Sequence, residues 1–152
     1  MRIAAFAAVL VPGLVLVLPP SAARAQACSV SADRSLAFGN YVPSSPIPRD
    51  TSANIVVSCN HTVGLLISYG IRLQSASRRT MAGTSGTLSY MLATDPLYTD
   101  PWTDSSSVPG SILLTALSLF GTRQHPVYGR IPTGQMVRPG SYADNLVITL
   151  TY

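Results

Sequence analysis

Gly140-Ser141-Tyr142-Ala143-Asp144-Asn145-Leu146-Val147-Ile148-Thr149-Leu150-Thr151-Tyr152 closes the sequence. From Tyr142 the even positions read Tyr, Asp, Leu, Ile, Leu, Tyr, and the odd ones Ala, Asn, Val, Thr, Thr. Asp144 apart, one face is large and apolar and the other small or polar. Side chains of a strand alternate between faces, so the pattern predicts a β-strand with one face on a core. No turn or returning strand follows Tyr152 in the sequence. A long apolar edge is an aggregation hazard that folded proteins cover. Either an earlier segment or another chain is therefore expected to pair with it.

At the other end, Arg2, an apolar run from Ile3 to Leu18 and the small-residue stretch Ser21 to Ala27 have the layout of a secretory signal peptide. Residues 1–27 are assigned to it, with cleavage after Ala25 or Ala27. The run is short for a membrane span and is interrupted by Pro12. What remains, residues 28–152, is one domain of about 125 residues, enough for a single core. Losing Arg2 and Arg24 leaves eight arginines against six aspartates, a net charge of about +2 scattered singly. That argues against a nucleic-acid partner. An exported chain with two cysteines, Cys28 and Cys59, is most simply one with a disulfide. Closing a loop of that length stabilises by roughly 3–4 kcal/mol.

Between the ends, further alternating segments predict strands. Cys28 to Phe38 reads as a strand broken or bulged around Asp33-Arg34, and Thr51 to Cys59 as a second. Leu65 to Leu73 is the clearest internal strand, and Leu88 to Leu92 alternates again. Ile112 to Phe120, almost continuously apolar, is read as a strand. Pro126 to Pro132 is a short strand at an edge or a sheet-switching position. Asp95 to Gly110, with three prolines, is the longest irregular segment. About seven strands with Gly/Pro turns and no amphipathic helix are the signature of an all-β sandwich of immunoglobulin-like size.

Val127-Tyr128-Gly129-Arg130-Ile131-Pro132, Gly134-Gln135, Pro139-Gly140-Ser141-Tyr142-Ala143-Asp144 and the alternating end closely resemble the spore coat protein U-like family. Subunits of archaic chaperone–usher pili belong to that family. Cys28, Phe38-Gly39-Asn40-Tyr41, Cys59, Arg79-Thr80-Met81, Leu88-Ser89-Tyr90 and Trp102 agree with the resemblance, which spans about residues 28–152. It implies an incomplete immunoglobulin-like sandwich lacking its last strand and completed by donor-strand complementation. The implied partners are a periplasmic chaperone, an outer-membrane usher and a neighbouring pilus subunit. The strand would be accepted in a groove at Tyr142, Leu146, Ile148, Leu150 and Tyr152 by β-augmentation. Cleavage after Ala25 or Ala27 leaves too few residues before Cys28 to form a donor strand, so a fibre-terminal or minor subunit is expected. A secreted spore- or cell-coat protein of the same fold is the alternative.

Catalysis finds little support. His61 lies in an expected turn and His125 before Pro126, and no Gly-x-Ser-x-Gly elbow accompanies either. Asp95, Asp100 and Asp104 lack the glycine and glutamate of a calcium loop. No catalytic residue, metal site or cofactor is assigned. Tyr98 and Trp102 could form an exposed loop contact for a surface or glycan receptor, as in an exported carbohydrate-binding module. Packing of Trp102 on the sandwich is the commoner role.

Overall fold

A computed structural model describes residues 27–62, 64–75 and 79–152. The expected signal peptide therefore lies, Ala27 apart, outside the described residues. Alternating burial makes β2 (Arg49–Asn60) and β3 (Leu65–Ser75) the spine of the fold. Ala53, Ile55, Val57 and Cys59 point inward from β2, and Ile67, Tyr69, Ile71 and Leu73 from β3. The first sheet has the order β1-β2-β8-β6, where β1 is Ala27–Ala32, β6 is Met91–Ala93 and β8 is Phe120–Ile131. The second has the order β10-β3-β7, where β7 is Ser107–Leu114 and β10 is Leu146–Thr151. Neighbours in both are antiparallel. Their inner faces meet in one core that holds Val57 and Val127 from one sheet and Ile71 and Leu114 from the other. A small third sheet, β5-β4-β9 (Gly86–Ser89, Thr80–Gly83 and Tyr142–Ala143), adds Met81 and Leu88 to that core. The fold is an all-β, immunoglobulin-like sandwich, with no helix among the described residues.

Cys28 and Cys59 lie directly opposite each other on β1 and β2 and form a disulfide. Several expectations are corrected. Leu36 and Phe38 do not continue β1, which ends at Ala32; they alternate within an irregular segment that has no ladder partner. The run from Ile112 to Phe120 is not one strand. It ends β7, turns at Thr115–Ser118 through reciprocal backbone hydrogen bonds of 3.0 and 3.1 Å, and begins β8. Pro126 lies inside the twelve-residue β8, on the stretch that pairs with β2 on one side and with no described strand on the other, so its edge position is met and no sheet switch falls there. The switch falls at Tyr90, between β5 of the third sheet and β6 of the first, although Leu88, Tyr90 and Leu92 alternate as if in one strand. The irregular segment after Thr94 is also shorter than expected, because Ser107 already belongs to β7.

One polar pair spans the core. His125 on β8 and Tyr69 on β3 share a hydrogen bond of 2.9 Å between Nε2 and Oη. Tyr69 can lie there because its partner across β7 is a glycine; a Cβ on Gly110 would sit 2.5 Å from the ring. Burial first, and the nearby Arg123 second, hold His125 below the ordinary imidazole value. A folded-state pKa below the unfolded one means that the unfolded chain takes up its proton first as pH falls. The stability His125 contributes is thus complete above about pH 6.5 and lost as pH falls through the folded value. Asp33, Asp50 and Asp95 are depressed by hydrogen bonds, led respectively by the Asn54 amide, the Arg130 side chain and the Asp100 amide. Their contributions are lost only at more acid pH. Urea denaturation between about pH 7 and pH 5 should therefore show wild-type stability falling and the His125→Gln profile flatter. Parallel profiles would contradict this role.

Candidate functional site

The terminal strand has a partner on one side only. Leu146 to Thr151 of β10 pair with Ser75 to Gly70 of β3, and no strand lies on the other side of β10 among the described residues. In the facing sheet β1 is likewise an edge. Two other edges carry protection. Pro109 stands in β7, where the Arg123 guanidinium also donates to the Ser111 carbonyl at 3.1 Å. At β5 the side-chain amide of Gln135 imitates a strand, accepting from the Ser89 N–H and donating to its C=O, both at 2.8 Å. Val147, Thr149 and Thr151 along β10 include neither charge nor proline, the usual means of blunting an edge.

Along β1 and β10 the inward side chains are only half-buried. Leu146, Ile148 and Leu150 alternate as half-buried against the exposed Val147, Thr149 and Thr151. Cys28 and Val30 do the same against Ser29 and Ser31. A cavity of about 420 Å³ opens past the end of β1, between the segment that follows Ala32 and the start of β10. Ala32, Leu36 and Phe38 form one wall, Tyr142, Leu146 and Ile148 the other, and the core residues Ile55, Leu73 and Val127 the floor. A second cavity of about 670 Å³ shares Leu36, Phe38, Met81 and Tyr142 and runs on between residues 39–43 and 137–141. Phe38 is seated against Gly129, where a Cβ would come within 2.9 Å of its ring, and against Tyr90 at 5.9 Å between ring centroids.

Asp144 ends the apolar row and is not left unpaired. It accepts from Ser75 Oγ at 2.5 Å, Tyr90 Oη at 2.6 Å and the Asn145 N–H at 2.8 Å. Burial first and Asp144 second push the Tyr90 phenol up to about 12. Behind this cluster the Arg79 side chain donates to the carbonyls of Leu73 and Trp102 and pairs with Asp104 at 3.1 Å. A floor of aliphatic side chains, two half-covered walls and a free backbone edge together match an extended strand with alternate apolar side chains.

Residues 14–149 match the Spore Coat Protein U domain. The chain belongs to the Spore Coat Protein U domain family. No curated protein matches it. The P pilus rod subunit PapA is among the solved structures similar to this family member, at 16% sequence identity and a TM-score of 0.47. The similarity covers 82% of this chain and 98% of that one.

Of the groove residues expected in this Spore Coat Protein U domain, Tyr142, Leu146 and Ile148 line the first cavity, and Leu150 is half-buried beside it. Tyr142 belongs to β9 and not to one continuous terminal strand, because the chain breaks at Asp144-Asn145. Tyr152 lies beyond β10, is 55% exposed and lines neither cavity. The opposite wall, Leu36 and Phe38, went unrecognised as part of a site, although their i, i+2 spacing signalled one apolar face. Trp102 is 2% exposed and packs in the core, the commoner of its two expected roles, so it offers no exposed loop contact. Tyr98 is also turned inward: its hydroxyl donates to the Gly129 carbonyl at 2.9 Å, and the Arg130 guanidinium lies 3.9 Å from its ring centroid. Arg130 in turn holds Asp50 through two hydrogen bonds of 2.7 Å. The three loop aspartates serve separate partners: Asp95 the amides of Leu97, Thr99 and Asp100, Asp100 the Thr94 hydroxyl, and Asp104 the Ser75 amide and Arg79.

Replacing Asp144 with leucine would continue the apolar row but strip two half-buried hydroxyls of their acceptor. Asp144→Leu should therefore lower stability by about 1–3 kcal/mol, read from the urea midpoint. An unchanged or higher midpoint would show that the carboxylate is not needed there.

Proposed function

We propose that this protein is a structural or adhesive subunit of a chaperone–usher surface pilus, and that the groove beside β10 receives a β-strand from its assembly partners. The observation that carries the reading is the half-buried apolar row on both sides of a slot whose floor is the core itself. In the family resemblance those partners are first a periplasmic chaperone, then, at the outer-membrane usher, the N-terminal extension of a neighbouring subunit. The subunit passes through the periplasm to the cell surface. It acts at a fibre end or as a minor component, accepting a strand without giving one, and its role is structural and not enzymatic.

The chemistry is main-chain hydrogen bonding along the free edge of β10, with alternate donor side chains entering the slot. Four or five buried apolar side chains contribute roughly 1.5–3 kcal/mol each before ordering costs are subtracted. That total is of the order of a whole domain's stability, so the strand acts as a part of the fold supplied from outside. Accordingly, the processed chain alone should be a marginally stable monomer prone to aggregate at high concentration, and co-expression with its chaperone should yield a one-to-one complex with a markedly higher urea midpoint. Ile148→Asp, which places a charge in the slot, should abolish co-purification, whereas Thr149→Asp, on the outer face, should retain it. An isolated chain as stable as the complex, or capture indifferent to Ile148→Asp, would refute the reading.

A further inference from the structure

The end of the sandwich where β7 turns into β8 carries a second apolar feature that the groove does not explain. Leu117, at the apex of the turn, is 100% exposed. Leu66 and Leu113, cross-strand partners on the outer face of the second sheet, are 58% and 69% exposed. Phe120, on the outer face of the first sheet opposite Asn60, is 60% exposed. Leu65 and Leu119 fill the space between, each more than a third exposed. Scattered exposed leucines need no explanation, but six exposed apolar side chains gathered into a cap at one end, with only small polar residues such as Thr115 and Ser118 among them, mark an interaction surface.

Two properties of the cap identify its partner. The first is shape: apolar side chains leave the tip on both outer faces and at the apex. A flat protein surface covers one of these directions, whereas a fluid apolar phase that surrounds the tip covers all three. The second is charge. Residues 56–62, 64–69 and 110–125, which build this end, contain no carboxylate, and Arg123 is their one fully charged side chain. All six aspartates, Asp33, Asp50, Asp95, Asp100, Asp104 and Asp144, lie outside these segments. An apolar tip without acid groups and with an arginine behind it suits the acyl layer and headgroups of a lipid bilayer, while the acidic end stays in water. We infer that this pole inserts shallowly into a lipid membrane surface through Leu66, Leu113, Leu117 and Phe120.

Flotation of the processed chain with vesicles of phosphatidylcholine, alone or mixed with phosphatidylglycerol, tests this directly. The chain should float with both, more strongly with the anionic mixture, and Leu117→Asp should lower the partition coefficient by about tenfold or more. Because Leu117 touches no core, Leu117→Asp should leave the thermal unfolding midpoint unchanged; Phe120→Ser provides a second exposed variant. The groove is a rival apolar surface, so Ile148→Asp serves as comparator. Loss of flotation with Ile148→Asp but not with Leu117→Asp would overturn the inference, as would failure of the wild-type chain to float with either vesicle. A concentration-dependent dimer that Leu117→Asp dissolves, without vesicle binding, would overturn it in favour of a second copy as the occupant.

Discussion

The constraint on which everything else depends is that the two sheets are joined through the chain at one side and share no hydrogen-bonded ladder at the other. Where β7 turns into β8 the chain crosses directly between sheets, and Gly121 lets the side chains of Ile112 and Leu114 close the seam; a Cβ there would come within 2.5 Å of Ile112. On the opposite side β1 and β10 are both edges, and no strand among the described residues pairs with the free side of either. A sandwich core is covered only as far as its sheets extend. The half-buried state of Val30, Leu146, Ile148 and Leu150 is therefore not a packing defect of those residues. Under the proposed function it marks an architecture one strand short.

The rest of the molecule reads as a response to that gap. The irregular segment after Ala32 places Leu36 and Phe38 against the core, which narrows the slot without supplying backbone pairing. Tyr41 ties the same segment down, accepting from the Gln135 N–H at 2.8 Å and donating to the Pro132 carbonyl at 3.1 Å. Asp144, Ser75 and Tyr90 anchor the start of β10 with hydrogen bonds, while the disulfide anchors β1. Both edges of the gap are thus fixed in place before anything enters it. A preformed slot spares a bound strand part of the ordering cost that association otherwise carries.

The terminal strand, β2 and β3 were legible in the sequence because each has one buried face and therefore a clean two-residue period. The disulfide was legible from cysteine number and export. What escaped had a physical reason in each case. Leu36 and Phe38 alternate like strand residues but meet no ladder, and periodicity reports burial, not hydrogen bonding. The Thr115–Ser118 turn contains no glycine or proline and is flanked by leucines that are exposed, so the turn was hidden in an apolar run. Tyr90 keeps the alternation of Leu88 and Leu92 while the chain passes between sheets. Packing of Trp102 was legible as the commoner role of a lone tryptophan, whereas Tyr98 offered an exposed contact because its loop is rich in proline and serine, yet it is latched to Gly129 and Arg130.

The central claim, that β10 carries an unfilled backbone edge which a partner strand completes, is tested most directly by amide hydrogen exchange along that strand. In an edge strand alternate N–H groups point away from the single neighbour. In the processed chain without a partner, the outward N–H groups among Leu146 to Thr151 should exchange rapidly while those bonded to β3 are protected. In the complex with a strand-donating partner both sets should be protected, with no comparable change in β8. Outward amides already protected in the isolated chain, or still unprotected in the complex, would contradict the account.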